Sequence, residues 1–126
     1  MSPILKLTPE LVVTDVDKSV DFYVHLLGFK KTMGDSHFAR LQAGTSELMI
    51  MLKSDFDLET PALNRPHHSG WSLIIIETDD IEEIYKNIKS QVKIHRQLKS
   101  TSYGTREFTF EDPDSYLIQF TQRLKV

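Results

Sequence analysis

The chain has 126 residues, of which 40% are apolar and 26% charged, with no cysteine and a net charge of −3. That is enough chain for one hydrophobic core, and the absence of cysteine excludes a disulfide framework, a thiol nucleophile and a thiolate metal site. No apolar run is long enough to span a bilayer, the longest, Leu73-Ile74-Ile75-Ile76, fitting a buried strand. Lysine and arginine are scattered outside Lys89 to Lys99, so no nucleic-acid partner is expected.

The first β-rich segment runs from Leu7 to Thr14 and ends at Asp15. Val16, Val20, Tyr23 and Leu27 then recur at helical spacing, with Asp15 as N-cap and Gly28 as stop, which predicts a helix over residues 16–27. Three strands are expected at Phe29 to Met33, His37 to Gln42 and Glu47 to Leu52, separated by Gly34-Asp35-Ser36 and Gly44-Thr45. Residues 54–69 contain Pro61 and Pro66 and no sustained periodicity, and read as a linker or a loop.

The order then repeats. Trp71 to Thr78 reads as a strand, and Asp80 opens a helix with Ile81, Ile84, Tyr85 and Ile88 on one stripe. Strands follow at Val92 to Leu98, Arg106 to Glu111 and Tyr116 to Thr121, the last two joined by the turn Asp112-Pro113-Asp114-Ser115. Asp15 and Asp80 open the two helices 65 positions apart. The chain therefore reads as an α+β protein of one domain, residues 1–126. Two tandem βαβββ modules are expected, residues 1–53 and 70–126, joined by the linker and forming a curved mixed sheet around a cleft.

The run Pro9-Glu10-Leu11-Val12-Val13-Thr14-Asp15 through Phe22-Tyr23 and Leu27-Gly28-Phe29 resembles the opening of vicinal oxygen chelate proteins. Tyr103-Gly104-Thr105-Arg106-Glu107-Phe108 with Asp112-Pro113-Asp114 and Leu117 to Phe120 resembles their closing hairpin. Ser115 stands where that family usually has glycine. The resemblance implies the glyoxalase/bleomycin-resistance fold and a homodimer. A cytoplasmic protein is expected from the opening residues Met1 to Lys6, which lack the regions of a signal peptide.

Many enzymes of that superfamily hold a divalent metal through His or Gln on a module's first strand and Glu on its last. The counterparts here are Thr8 and Leu73 on the first strands, and about Ile50 and Gln119 on the last. None is a carboxylate and Leu73 donates nothing, so no metal and no cofactor are expected there. His25, His37, His67-His68 and His95 are the other histidines, His37 being the best candidate for a displaced site.

Taking those positions as inward, strand alternation puts Thr8, Glu10 and Val12 on the cleft face. Leu48, Ile50 and Leu52, then Trp71, Leu73 and Ile75, and Leu117, Gln119 and Thr121 join them. With tight hairpins so do His37, Ala39 and Leu41, and Arg106, Phe108 and Phe110. Glu10 reads as a base or an anchor for a cationic ligand, or as a rim residue. Arg106 reads as a clamp for an anion, or as half of a salt bridge. Gln119 reads as an orienting hydrogen-bonder, Trp71 as a stacking ring or core residue, and Tyr103 as a gate or a surface aromatic.

The resemblance to the metal-free bleomycin-resistance proteins implies a small-molecule binder that sequesters an aromatic or amphipathic ligand, and the acidic balance leans toward a cationic one. The alternative it leaves open is a lyase, isomerase or dioxygenase with a divalent metal at a non-standard site.

Overall fold

In the computed structural model, residues 3–59 and 72–124 are described. The chain divides into two compact units, Met1–Pro66 and His67–Val126. The first carries strand β1 (Glu10–Val13), helix α1 (Val16–Asp21) running into a π-helical turn (Phe22–Leu26), then β2 (Lys30–Gly34), β3 (Phe38–Ala43), β4 (Ser46–Leu52) and helix α2 (Lys53–Glu59). The second carries β5 (Leu73–Glu77), α3 (Ile81–Ile88), β6 (Ile94–Ser100), β7 (Thr105–Glu111) and β8 (Leu117–Arg123). The eight strands make two four-stranded mixed sheets, in the orders β1-β4-β3-β2 and β5-β8-β7-β6. In each sheet the module's first and last strands pair in parallel and the other neighbours are antiparallel. The two-module βαβββ expectation holds.

Both helices begin as their sequences require. Asp15 accepts a hydrogen bond from Lys18 N at 3.1 Å, and Asp80 accepts one from Glu83 N at 3.4 Å. The single helix expected over residues 16–27 instead widens at Phe22, and Phe29 N reaches Tyr23 O at 2.9 Å. This widening accompanies a Tyr23 that is fully buried and edge-on to Phe22 and Phe29. Gly28 ends the turn with a φ of +86°, which a side chain rarely adopts.

Each sheet has one face turned to its helix. In the first module it carries Leu11, Val13, Ala39, Leu41, Leu48 and Ile50, all buried. In the second it carries Ile118 and a stack of Phe108, Phe110 and Phe120, with Tyr85 of α3 edge-on to Phe108 at 4.9 Å between ring centres. Burying a ring of this size is worth roughly 1.5–3 kcal/mol.

Residues 54–59, expected to open the linker, belong to α2, which packs against β1 and β4. Its seven residues are too few to declare a helical period, and its ties are polar: Lys53 Nζ to Asp57 at 2.5 Å, and His37 to Asp55. The remainder of the expected linker lies outside the described residues, as does Trp71. Ser115 takes the positive φ, +68°, that explains the usual glycine at its position.

Candidate functional site

Residues opposite one another across a strand pair project from the same face. The register therefore defines, on each sheet, a row of side chains on the face away from the helix. In the second module that row is Ile75, Gln119, Thr109 and Arg96. In the first it is Glu10, Met49, Arg40 and Met33.

This register corrects the face expected for Ala39, Leu41, Leu48, Ile50 and Leu52 in the first module and for Arg106, Phe108 and Phe110 in the second, all of which lie on the helix side. Ile50 is opposite Leu11 and Ala39, on the helix side, and is fully buried; the neighbour of Glu10 is Met49. Phe108 and Phe110 are the core of the second module. Arg106 is opposite Gln122 on the helix side; its Nη1 pairs with Glu82 of α3, while Gln122 Oε1 accepts from Ile81 N at 2.8 Å. Arg106 and Gln122 thus hold the first turn of α3, and the salt-bridge reading of Arg106 is the one realised. The physical reason is that apolar side chains of a two-faced strand go under the helix, so the Phe108 and Phe110 side of β7 was taken by the core.

His37 precedes β3 and is turned to α2, its Nδ1 2.7 Å from Asp55 Oδ2 with the side chain 62% exposed. The hydrogen bond to Asp55 raises its pKa, and its own backbone N–H in turn lowers that of Asp35. Glu10, Leu73 and Gln119 do lie on the helix-free faces, Leu73 two residues along β5 from Ile75. Leu73 and Ile75 are exposed, while Gln119 is buried.

The second module's helix-free face is a hydrogen-bonded floor. Arg96 crosses β7: its Nε and Nη2 reach Thr109 Oγ1 at 3.2 and 3.1 Å, and Nη2 reaches Gln119 Oε1 at 2.7 Å. Gln119 Nε2 donates onward to Thr121 Oγ1 at 2.9 Å. Thr109, Gln119 and Thr121 are all buried. One step along the strands, the Tyr103 hydroxyl donates to Glu107 Oε1 at 2.8 Å and Thr105 Oγ1 to Glu107 Oε2 at 3.0 Å, satisfying a buried carboxylate. That bond holds the Tyr103 phenol above its ordinary pKa, while the ring stays 69% exposed. Glu111 is kept below the usual carboxylate value by His95, whose Nε2 lies 2.6 Å away.

Arg96 and Glu107 were not among the expected site residues. The alternation Thr105, Glu107, Thr109, Glu111 against Arg106, Phe108, Phe110 carried the signal for Glu107. No period could find Arg96. Ile94 is opposite Phe110 on the helix side, yet Arg96, two residues on, is opposite Thr109 on the other side. A β-bulge between them supplies the extra residue that turns Arg96 onto the helix-free face.

The profile of the glyoxalase/bleomycin resistance protein/dioxygenase superfamily matches residues 5–120. The chain belongs to that superfamily. It is 31% identical over 130 residues to the bleomycin resistance protein of Geobacillus stearothermophilus, covering 96% of this chain and 98% of that one. A lactoylglutathione lyase of Neisseria meningitidis is 30% identical over 123 residues, covering 90% and 86%. Among solved structures, the bleomycin-binding protein of Streptomyces verticillus in complex with copper(II)-bleomycin superposes with a TM-score of 0.66 at 25% identity, covering 97% of this chain and 98% of that one.

Superfamily enzymes that use a metal need lone pairs aimed at the ion. Here Ile75 and Met49 occupy the row positions beside Gln119 and Glu10, and they offer no hard donor. Gln119 Oε1 is already taken by the Arg96 guanidinium. A fixed positive charge at that oxygen repels a second cation, so the row of the second module does not fit a divalent metal. No group of three His, Asp or Glu suited to a metal occurs among the described residues.

Proposed function

We propose that this protein binds a small aromatic or amphipathic molecule without a metal and sequesters it, a reading supported by its likeness to a bleomycin resistance protein and to a bleomycin-binding protein. The observation that carries this reading is the Arg96–Gln119 hydrogen bond, which fills the acceptor of the closing-strand position with a guanidinium. Beside that polar floor, Leu73, Ile75 and Tyr103 supply exposed apolar and aromatic surface for a ligand body. Covering such surface contributes roughly 25 cal/mol per Å². The reading takes the protein as a cytoplasmic homodimer; no helix among the described residues is long and apolar enough to cross a membrane.

A thermal-shift screen of the purified full chain tests it, with bleomycin and a panel of aromatic drugs and metabolites in one arm and divalent metals in the other. A ligand that binds only the folded state raises the melting temperature by mass action. The expected result is stabilisation by an organic molecule in the presence of a chelator. Stoichiometric zinc, nickel, manganese or iron in the purified protein, with no organic molecule stabilising it unless the metal is present, would favour the enzymatic alternative to which the lyase relatives belong.

A further inference from the structure

The two sheets each place an arginine on the helix-free face, but they treat its charge differently. Arg40 of the first module lies beside a carboxylate, its Nε 3.3 Å from Glu47 Oε2, and Lys6 joins the same carboxylate. Arg96 of the second module is held by Thr109 and Gln119, which are neutral. Arg96 has no ion-pair partner among the described residues, and no described residue takes a hydrogen bond from its Nη1. Its planar group is thus oriented by Nε and Nη2 while its charge stays uncompensated. Arginine in that state is suited to a planar anionic oxygen group.

We infer that Arg96 is the recognition group for an anionic ligand, one whose carboxylate, or an equivalent oxyanion, is attached to an apolar or aromatic body. This rests on the binding reading above and names the ligand class for it. The geometry gives the shape. Arg96 reaches across β7 to Gln119 on β8, and β5 with Ile75 and Leu73 is the next strand over, about 5 Å further. An acid group on Arg96 would therefore leave its ring against Ile75 and Leu73. The two carboxylates that flank Thr109 on this face of β7 are both engaged, Glu107 by Tyr103 and Thr105 and Glu111 by His95 and Lys93. The inference runs against the lean toward a cationic ligand that the whole-chain charge of −3 suggests, because a local fixed charge outweighs a small net field.

Matched probes test it. 2-Naphthoate, 2-naphthamide and 2-naphthylmethylammonium share one apolar body and differ in charge. Their affinities for the full chain are measured by isothermal titration with chelator present. The expected order puts naphthoate first, about ten- to a hundredfold tighter than the amide, the range of a hydrogen bond to a charged group. Arg96→Gln should bring naphthoate down to the amide's affinity, with the amide itself unchanged, and Arg96→Lys should restore part of the gap. The same melting temperature in both variants shows that the fold is intact. Equal affinities for acid and amide, or tighter binding of the ammonium probe, would overturn the inference and leave the binding reading standing. No binding by any of the three overturns this inference, and the broader drug and metabolite screen then decides the binding reading separately.

Discussion

The two modules repeat one topology and one register, and they differ in what they put on the same rows. Across the helix-free face, Glu10, Met49, Arg40 and Met33 in the first module stand where Ile75, Gln119, Thr109 and Arg96 stand in the second. The edge strands β2 and β6 are both bulged, at Lys31/Met33 and Ile94/Arg96. The bulge is thus a feature of the repeat, and only the residue it presents has changed, methionine in one module and arginine in the other. A duplicated framework holds its backbone geometry while the side chains diverge, the first row setting its arginine beside a carboxylate and the second holding its arginine on neutral acceptors.

The largest expected effect lies under the helix. Phe108 is fully buried among Tyr85, Phe110 and Phe120, while its counterpart in the first module is the buried Ala39. Phe108→Ala should lower the stability of the folded chain by about 3–5 kcal/mol, read from urea unfolding. A loss below 1 kcal/mol would mean that the aromatic stack does not support the second module.

A smaller effect belongs to the polar floor. Glu107→Leu strips the acceptor from the Tyr103 and Thr105 hydroxyls and should cost about 1–3 kcal/mol. The counterpart in the first module is Phe38, so the apolar replacement copies what the repeat already tolerates there. An unchanged unfolding midpoint would contradict the assigned network.

The smallest concerns the exposed His37–Asp55 link of the first module. The histidine is held above 6.5 by its carboxylate neighbour. A raised value means that the link contributes stability fully present below pH 6.5 and lost as pH rises through the folded-state pKa. Proton NMR titration should show His37 titrating above an unperturbed histidine, and Asp55→Asn should return it toward 6.5. A titration already at that value in the parent protein would show that α2 is not tied down there.

Much of this was legible in the chain. The repeat of Asp-capped amphipathic helices, the strand order and the terminal turn led to the two modules, because periodicity and capping are local properties. The weakness lay in the faces. Alternation says that β7 has two sides, with Phe108 and Phe110 on one and Glu107 and Thr109 on the other, but not which side meets the helix. Counting Ile50 as the counterpart of Gln119, and assigning the aromatic side of β7 to the ligand, placed Ile50, Phe108 and Arg106 in a site, when the register turns all three to the helix side. Gln119, Leu73 and Glu10 do lie on the helix-free faces. Arg96 could not be found by counting, since the residue that reverses its side is an insertion in pairing and leaves no mark in composition. The short helix α2 escaped because seven residues are too few to show a helical period; its polar ties are the internal Lys53–Asp57 pair and the His37–Asp55 link.

The central claim is that a guanidinium at Gln119 stands in place of a metal in the second module. The most direct measurement is isothermal titration of bleomycin and of 2-naphthoate into protein stripped by chelator, repeated after zinc, nickel, manganese and iron are restored in turn. Heat of binding from at least one of the two organic molecules, unaltered by any ion, is the outcome the account requires. Binding that appears only once an ion has been returned, and that Arg96→Gln leaves untouched, would contradict it.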